Sequence, residues 1–137
     1  TILRLHSEKN EINVISDQIG CPTNAKNLAN LCWQIIINKT KNIDMPNIIH
    51  YSEQGLASWY DVACEIENLG ISYGILEKKK KIKPISANQF ITKSSRPNYS
   101  LLDTAETRNI FKLSYSHWRE SIESIIKEIV SNKNIYE

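Results

Sequence analysis

The sequence predicts a small mixed α/β lobe, with three to four helices and two or three short strands around one core. Three observations lead there. Apolar and polar residues alternate through EINVIS (Glu11–Ser16), the two-residue period of a strand. Apolar residues recur at three- and four-residue spacing in three stretches, which begin near Asn24, Ser58 and His117. Turn formers and helix-capping residues separate these stretches, so the elements are short and punctuated.

Taken in order, TILRLHSE reads as the end of a helix, and EINVIS as the first strand. SDQIGCPTN (Ser16–Asn24) connects that strand to a helix. Leu28, Leu31, Cys32, Ile35 and Ile36 lie on one face of this helix. Thr23 suits its N-cap, and Pro22 disfavours helix any earlier. The polar run NKTKN (Asn38–Asn42) should end it. NIIHYSE reads as a short strand. SEQGLAS reads as a loop in which Gly55 is free to take positive φ. Ser58 and Asp61 have the spacing of a capping box for the next helix, with Trp59, Val62, Ala63 and Ile66 as its buried stripe and Gly70 as its stop. ISYGILEKKKKIKPIS predicts a short helical turn and then a strand at KIKPIS. SANQFITKSSRPNYSLL is polar and irregular, with one helical turn near Asn88. Asp103 and Glu106 give a cap signature for a short helix that ends near Phe111. Ser116 suits the cap of the last helix, where Trp118, Ile122, Ile125 and Ile129 form the apolar seam and Ile126 and Val130 widen it.

The 137 residues suit one domain, and a hydrophobic fraction of 41% suffices for a core. The formal net charge of +2 neither demands a nucleic acid nor excludes an anionic small molecule. No stretch approaches the roughly 20 apolar residues of a membrane span. The first residues lack the basic-then-apolar pattern of a secretory signal. They also lack an initiator Met and open on a patterned segment, so a piece of a longer chain is expected. Cys21, Cys32 and Cys64 are odd in number and far apart, which argues against a disulfide framework and for a reducing compartment. His6, His50 and His117 are equally dispersed, and no Cys/His spacing resembles a zinc site.

Self-sufficient catalytic machinery is not visible. There is no G-x-G-x-x-G, no phosphate-binding P-loop, no G-x-S-x-G elbow and no Tyr followed four residues later by Lys. What remains is polar loops. Asp17 and Gln18 offer a carboxylate and an amide to a hydroxyl-rich ligand, or else form an Asx turn with Gln18 in solvent. Arg96, Asn98 and Ser100 suit a phosphate or pyrophosphate, against the alternative of a surface arginine. Trp59, Tyr60 and Tyr99 have faces for a sugar or base, though Trp59 on an apolar stripe reads as packing. Lys78 to Lys81 are a solvated edge or a nucleic-acid patch. The patch is disfavoured because no aromatic residue interleaves with the lysines and the net charge is near zero.

Four segments together resemble one family. INVISDQIGCPTNAKNLANLCWQII is similar to the D-Q-x-G-x-P-T segment of the dTDP-4-dehydrorhamnose reductases, matched at Asp17, Gln18, Gly20, Pro22 and Thr23. IIHYSEQGLASWYDVACEI resembles their S-W-Y-D-F-A stretch at Ser58, Trp59, Tyr60, Asp61 and Ala63. KPISANQF resembles the segment leading into an R-P-x-N-S-x-L-D run, present as Arg96, Pro97, Asn98, Ser100, Leu102 and Asp103. LSYSHWRESIESIIKEI resembles their terminal helix. The four occur in the family's order and cover nearly the whole chain. Ser95 stands where many members have a second arginine, and Cys21 where the residue is usually small.

The resemblance implies the C-terminal, substrate-binding part of an extended short-chain reductase. Its NAD(P)-binding Rossmann domain and Tyr-x-x-x-Lys pair would lie upstream. In the family, hydride from NADPH or NADH reduces the 4-keto group of dTDP-6-deoxy-L-lyxo-4-hexulose to give dTDP-L-rhamnose, and the Tyr protonates the new alkoxide. The implied substrate-binding residues are Asp17, Gln18, Arg96 and Asn98, with no catalytic, cofactor or metal ligand in this chain. The implied partners are a dTDP-sugar and the Rossmann domain, with no nucleic acid and no membrane, in the cytoplasm. A homodimer is compatible with the family. So is Mg²⁺, which nothing in these residues supports. The lobe alone is expected to be inactive and to expose an apolar face that favours association. Two other readings stay open: a non-catalytic regulatory or binding module of reductase-like sequence, and a nucleic-acid-binding domain using Lys78 to Lys83.

Overall fold

The computed structural model describes residues 1–90, 94–114 and 116–133. It has five α-helices, one 3₁₀ turn and four short strands among those residues, one helix and one strand more than expected. In chain order they are α1 (Ile2–Glu8), β1 (Glu11–Ile15), β2 (Ile19–Gly20), α2 (Ala25–Thr40), β3 (Ala57–Ser58), α3 (Trp59–Ser72), β4 (Lys81–Ile85), a 3₁₀ turn (Ala87–Gln89), α4 (Ala105–Phe111) and α5 (Trp118–Lys133).

Two small sheets organise the lobe. β1 and β4 pair in parallel, with Ile12 opposite Ile82 and Val14 opposite Pro84. Such a pair requires a long crossover, and α2, β3 and α3 supply it. Pro84 gives β4 no amide at that position, which an edge strand tolerates. β2 and β3 pair antiparallel, Ile19 opposite Ser58 and Gly20 opposite Ala57.

The alternation that predicts β1 is the one that builds the core. Ile12 and Val14 are buried with Ala63 of α3, and Ile2, Leu5, Tyr60 and Ile82 pack around them. Trp118 and Ile126 of α5, Phe111 of α4 and Leu31 of α2 are also buried. A polar tie fixes α1 to this core. His6 Nε2 and Glu67 Oε1 meet at 3.1 Å, both buried, and Glu67 Oε1 also accepts the Lys80 amide at 2.8 Å. The Lys80 ammonium caps the C-terminal end of α1, donating to the carbonyls of His6 and, at 2.9 Å, Lys9. Lys81 pairs with Glu11, its cross-strand partner, at 2.8 Å. Part of the lysine run is thus structural.

Several expectations are corrected. No strand forms at Asn47–Glu53, where the described residues offer no neighbouring strand; only Gln54 makes an isolated bridge, to His117. Asn24, not Thr23, caps α2, because its side chain accepts the Lys26 amide at 2.9 Å while the Thr23 hydroxyl turns to the Cys21 carbonyl. Of the predicted α2 stripe only Leu31 is buried. Leu28, Cys32 and Ile36 are exposed, as are Trp33 and Ile37 beside them, because little of the described protein packs on that face. Trp59 stands half exposed at the start of α3 rather than in its buried stripe. Gly70 does not stop α3. It is buried inside the helix, where a Cβ would lie 2.8 Å from Leu76 Cδ1, and the chain reverses at Gly74, φ +70°. Thr104, not Asp103, occupies the α4 cap position, and Asp103 accepts the Ala105 amide at 2.9 Å. Ser116 does not cap α5: its hydroxyl goes to Ser121 and Glu53, and the His117 ring accepts the Arg119 amide instead. Residues 91–93 of the predicted irregular stretch lie outside the described residues.

Candidate substrate-binding site

The loop after β1 is organised by backbone pairing. Ile19 donates its amide to the Asn98 carbonyl at 2.7 Å, and its carbonyl accepts the Ser100 amide at 2.9 Å. With β3 on its other side, Ile19 holds three segments distant in sequence in one layer. β3 leads directly into α3, whose start is fixed by the predicted capping box. The Ser58 hydroxyl accepts the Asp61 amide at 3.1 Å, and Asp61 Oδ2 accepts the Ser58 amide at 2.8 Å. The Ser58 hydroxyl and then its amide hold the Asp61 carboxyl below the usual carboxylate range.

These segments enclose a hollow of about 410 Å³. Gln18, Gly20 and Cys21 form one wall, Ser58 and Trp59 a second, and Arg96 with Ser100 a third. Arg96 is the one charged side chain among the described residues lining it. The volume is within the range of small-ligand sites. A guanidinium, an amide, hydroxyls and a half-exposed indole can together hold an anionic group joined to a flat or sugar-like one. A second, more apolar hollow of about 300 Å³ lies against it. Gln18, Trp59 and Arg96 line both, and Leu5, Ile15 and Phe90 are among the other walls.

The four sequence-predicted residues divide. Gln18 and Arg96, 78 positions apart, come to the same hollow. Asn98 supplies a backbone carbonyl to Ile19 and is not among the lining residues. Asp17 is engaged elsewhere: Oδ2 accepts the Ser86 hydroxyl at 2.6 Å and Oδ1 the Ala87 amide at 2.8 Å, and these bonds lower its pKa. Asp17 therefore ties the loop to the end of β4. Cys21 borders the hollow, and burial pushes its thiol pKa up, so it stays protonated and donates to the Glu53 carbonyl at 3.0 Å. Trp59, weighed from the sequence as a face for a sugar or base but favoured there as packing, stands half exposed as a wall of the hollow. The described residues contain no group of three or more His, Cys, Asp or Glu able to hold a metal ion. No helix among them is long and apolar enough to cross a membrane.

A family model described as the RmlD substrate binding domain matches residues 1–131. The dTDP-4-dehydrorhamnose reductase of Escherichia coli (strain K12) is 28% identical over 135 residues, 98% of this chain and 45% of that protein. The spore coat polysaccharide biosynthesis protein SpsK of Bacillus subtilis (strain 168) is 32% identical over 129 residues, 93% of this chain and 41% of that protein. The crystal structure of a dTDP-4-dehydrorhamnose reductase from Clostridium acetobutylicum superposes with a TM-score of 0.77 at 29% identity, covering 93% of this chain and 42% of that one. The Bacillus anthracis reductase in complex with NADP gives a TM-score of 0.72 at 31% identity, covering 93% and 41%. The chain thus spans less than half the length of these relatives. The chain belongs to the RmlD substrate binding domain family, as its match over residues 1–131 shows.

Proposed function

We propose that this chain is the substrate-binding portion of a dTDP-4-dehydrorhamnose reductase, which reduces the 4-keto group of dTDP-6-deoxy-L-lyxo-4-hexulose to give dTDP-L-rhamnose. The observation that carries the reading is the convergence of Gln18, Trp59 and Arg96 on one hollow, from three of the segments that resemble the reductases. In this reading Arg96 faces the diphosphate, Gln18 the ligand rim, and Trp59 the base or sugar. Asp17 and Asn98 hold the loops that present them.

In this reading NADPH or NADH is held elsewhere, since the described residues contain no glycine-rich strand-to-helix turn to cradle a dinucleotide pyrophosphate. The hydride donor and the acid Tyr belong, in this reading, to a nucleotide-binding domain that this chain does not contain. The open face of α2, with Leu28, Trp33 and Ile36 exposed, suits packing against further protein. The lobe alone is then inactive.

The role of Arg96 is tested with dTDP and thymidine as paired probes. Arg96→Ala should weaken dTDP binding about tenfold, the effect of one charge-assisted hydrogen bond, and leave thymidine binding unchanged. Equal weakening of both, or of neither, contradicts the assignment.

A further inference from the structure

Glu53 is the most deeply buried carboxylate among the described residues, 2% exposed, and it does not line the hollow. Its side chain joins two helix starts. Oε1 accepts the Asn27 side-chain amide at 2.9 Å and the Asn24 backbone amide at 3.4 Å, at the beginning of α2. Oε2 accepts the Ser116 hydroxyl at 3.3 Å, just before α5. The Glu53 carbonyl accepts the Cys21 thiol at 3.0 Å and the Ser52 hydroxyl at 3.1 Å. The next residue extends the tie: Gln54 donates its amide to the Ser116 carbonyl at 3.2 Å and accepts the Trp118 amide at 3.1 Å.

A buried carboxylate is costly unless its oxygens are satisfied, and here donors come from segments 26, 29 and 63 residues away. The positive ends of two 16-residue helices favour the charge. In Glu53→Gln the amide oxygen can keep the Asn24 and Asn27 donors while the amide nitrogen turns to the Ser116 oxygen, so the variant keeps the shape and loses the charge that strengthens these bonds and suits the two helix starts.

We infer that Glu53 is a positioning residue: by clamping Cys21–Asn27 to the start of α5 it fixes the Cys21 wall of the hollow, and nucleotide-sugar affinity depends on it without contact. The affinity part of this inference rests on the binding reading above. The clamp itself does not.

Two measurements on the chain separate them. Alkylation by iodoacetamide is followed peptide by peptide, with exposed Cys32 on α2 as reference and Cys64 on α3 as the reporter of global opening. Glu53→Gln should accelerate Cys21 relative to Cys32 by about fivefold, the effect on local opening of charge-assisted hydrogen bonds turned neutral, with Cys64 unchanged. Dissociation constants for dTDP should rise in Glu53→Gln in step with the Cys21 rate. An unchanged Cys21 rate, acceleration of Cys64 to the same degree, or faster Cys21 alkylation with unchanged dTDP affinity overturns the inference. Should Glu53→Gln fail to fold, Glu53→Asp, which keeps the charge and shortens the reach, should accelerate Cys21; no acceleration overturns it. Failure of the wild type to bind dTDP removes the binding reading and with it the affinity claim, while the Cys21 rate still decides the clamp.

Discussion

Asp17 Oδ2 accepts the Ser86 hydroxyl at 2.6 Å, so the first residue of the D-Q-x-G-x-P-T segment secures β1's loop to the turn after β4. The Ser86 hydroxyl and then the Ala87 amide stabilise its charged form, and its pKa is lowered. A carboxylate depressed in the folded state contributes stability above its unfolded value of about 3.9, lost as pH falls through the folded value. Asp17→Asn should therefore lower the melting temperature at pH 7. The difference from wild type should shrink on titration below pH 4. Melting curves across pH 2.5–7 check this, and a difference independent of pH contradicts it.

The buried His6–Glu67 contact makes a second prediction. Glu67 Oε1 serves both the His6 ring and the Lys80 amide. Truncation of Glu67 leaves the buried His6 ring without this partner, at a cost of about 1–3 kcal/mol, and frees the part-buried Lys80 amide as well. His6→Ala removes only the ring, and Glu67 keeps the Lys80 amide. Glu67→Ala should thus lower the urea midpoint more than His6→Ala does, with α1 and the start of β4 losing amide protection first. Equal midpoints for the two variants would contradict this ordering.

Gly55 takes φ +90°, and a Cβ there would lie 2.9 Å from Trp118 Cδ1 and closer still to the His117 ring. Both strain and overlap oppose a side chain, at a cost of about 1–3 kcal/mol for the backbone alone. Gly55→Ala should lower the melting temperature markedly, whereas Gly74→Ala, also at positive φ but with nothing within 4 Å, should cost less. Denaturant titration of the two variants side by side measures the difference. Equal losses would show that packing against His117 and Trp118 contributes nothing.

Locally determined features were legible in the sequence. The alternation of EINVI, the Ser58–Asp61 box, the positive φ of Gly55 and the C-terminal ends of α2 and α4 depend on neighbours a few residues away. What was not legible depends on distant partners. Asp17 meets Ser86 across 69 positions, and Glu53 gathers donors from both sides of the chain, with nothing near either residue to signal it. NIIHYSE has the composition of a strand, yet a strand needs a neighbour to pair with. The apolar stripe of α2 has helical spacing, but spacing says which face is apolar, not whether protein covers it. For the site, the sequence singled out Asp17, Gln18, Arg96 and Asn98, of which Gln18 and Arg96 line the hollow. Their meeting in one hollow, with Trp59 between two cavities, required the fold.

The most direct test of the account is a nuclear magnetic resonance titration of this chain with dTDP-L-rhamnose and, separately, NADPH, since shift changes register even weak occupancy of a partial cleft. The account predicts that dTDP-L-rhamnose moves the amides of Gln18, Gly20 and Cys21, the Trp59 indole and the Arg96 guanidinium, and that Trp59→Ala weakens this response by roughly tenfold or more, the worth of one base stack. NADPH should leave these signals in place. Absence of a localised response to dTDP-L-rhamnose, or an equal response of the same residues to NADPH, would contradict it.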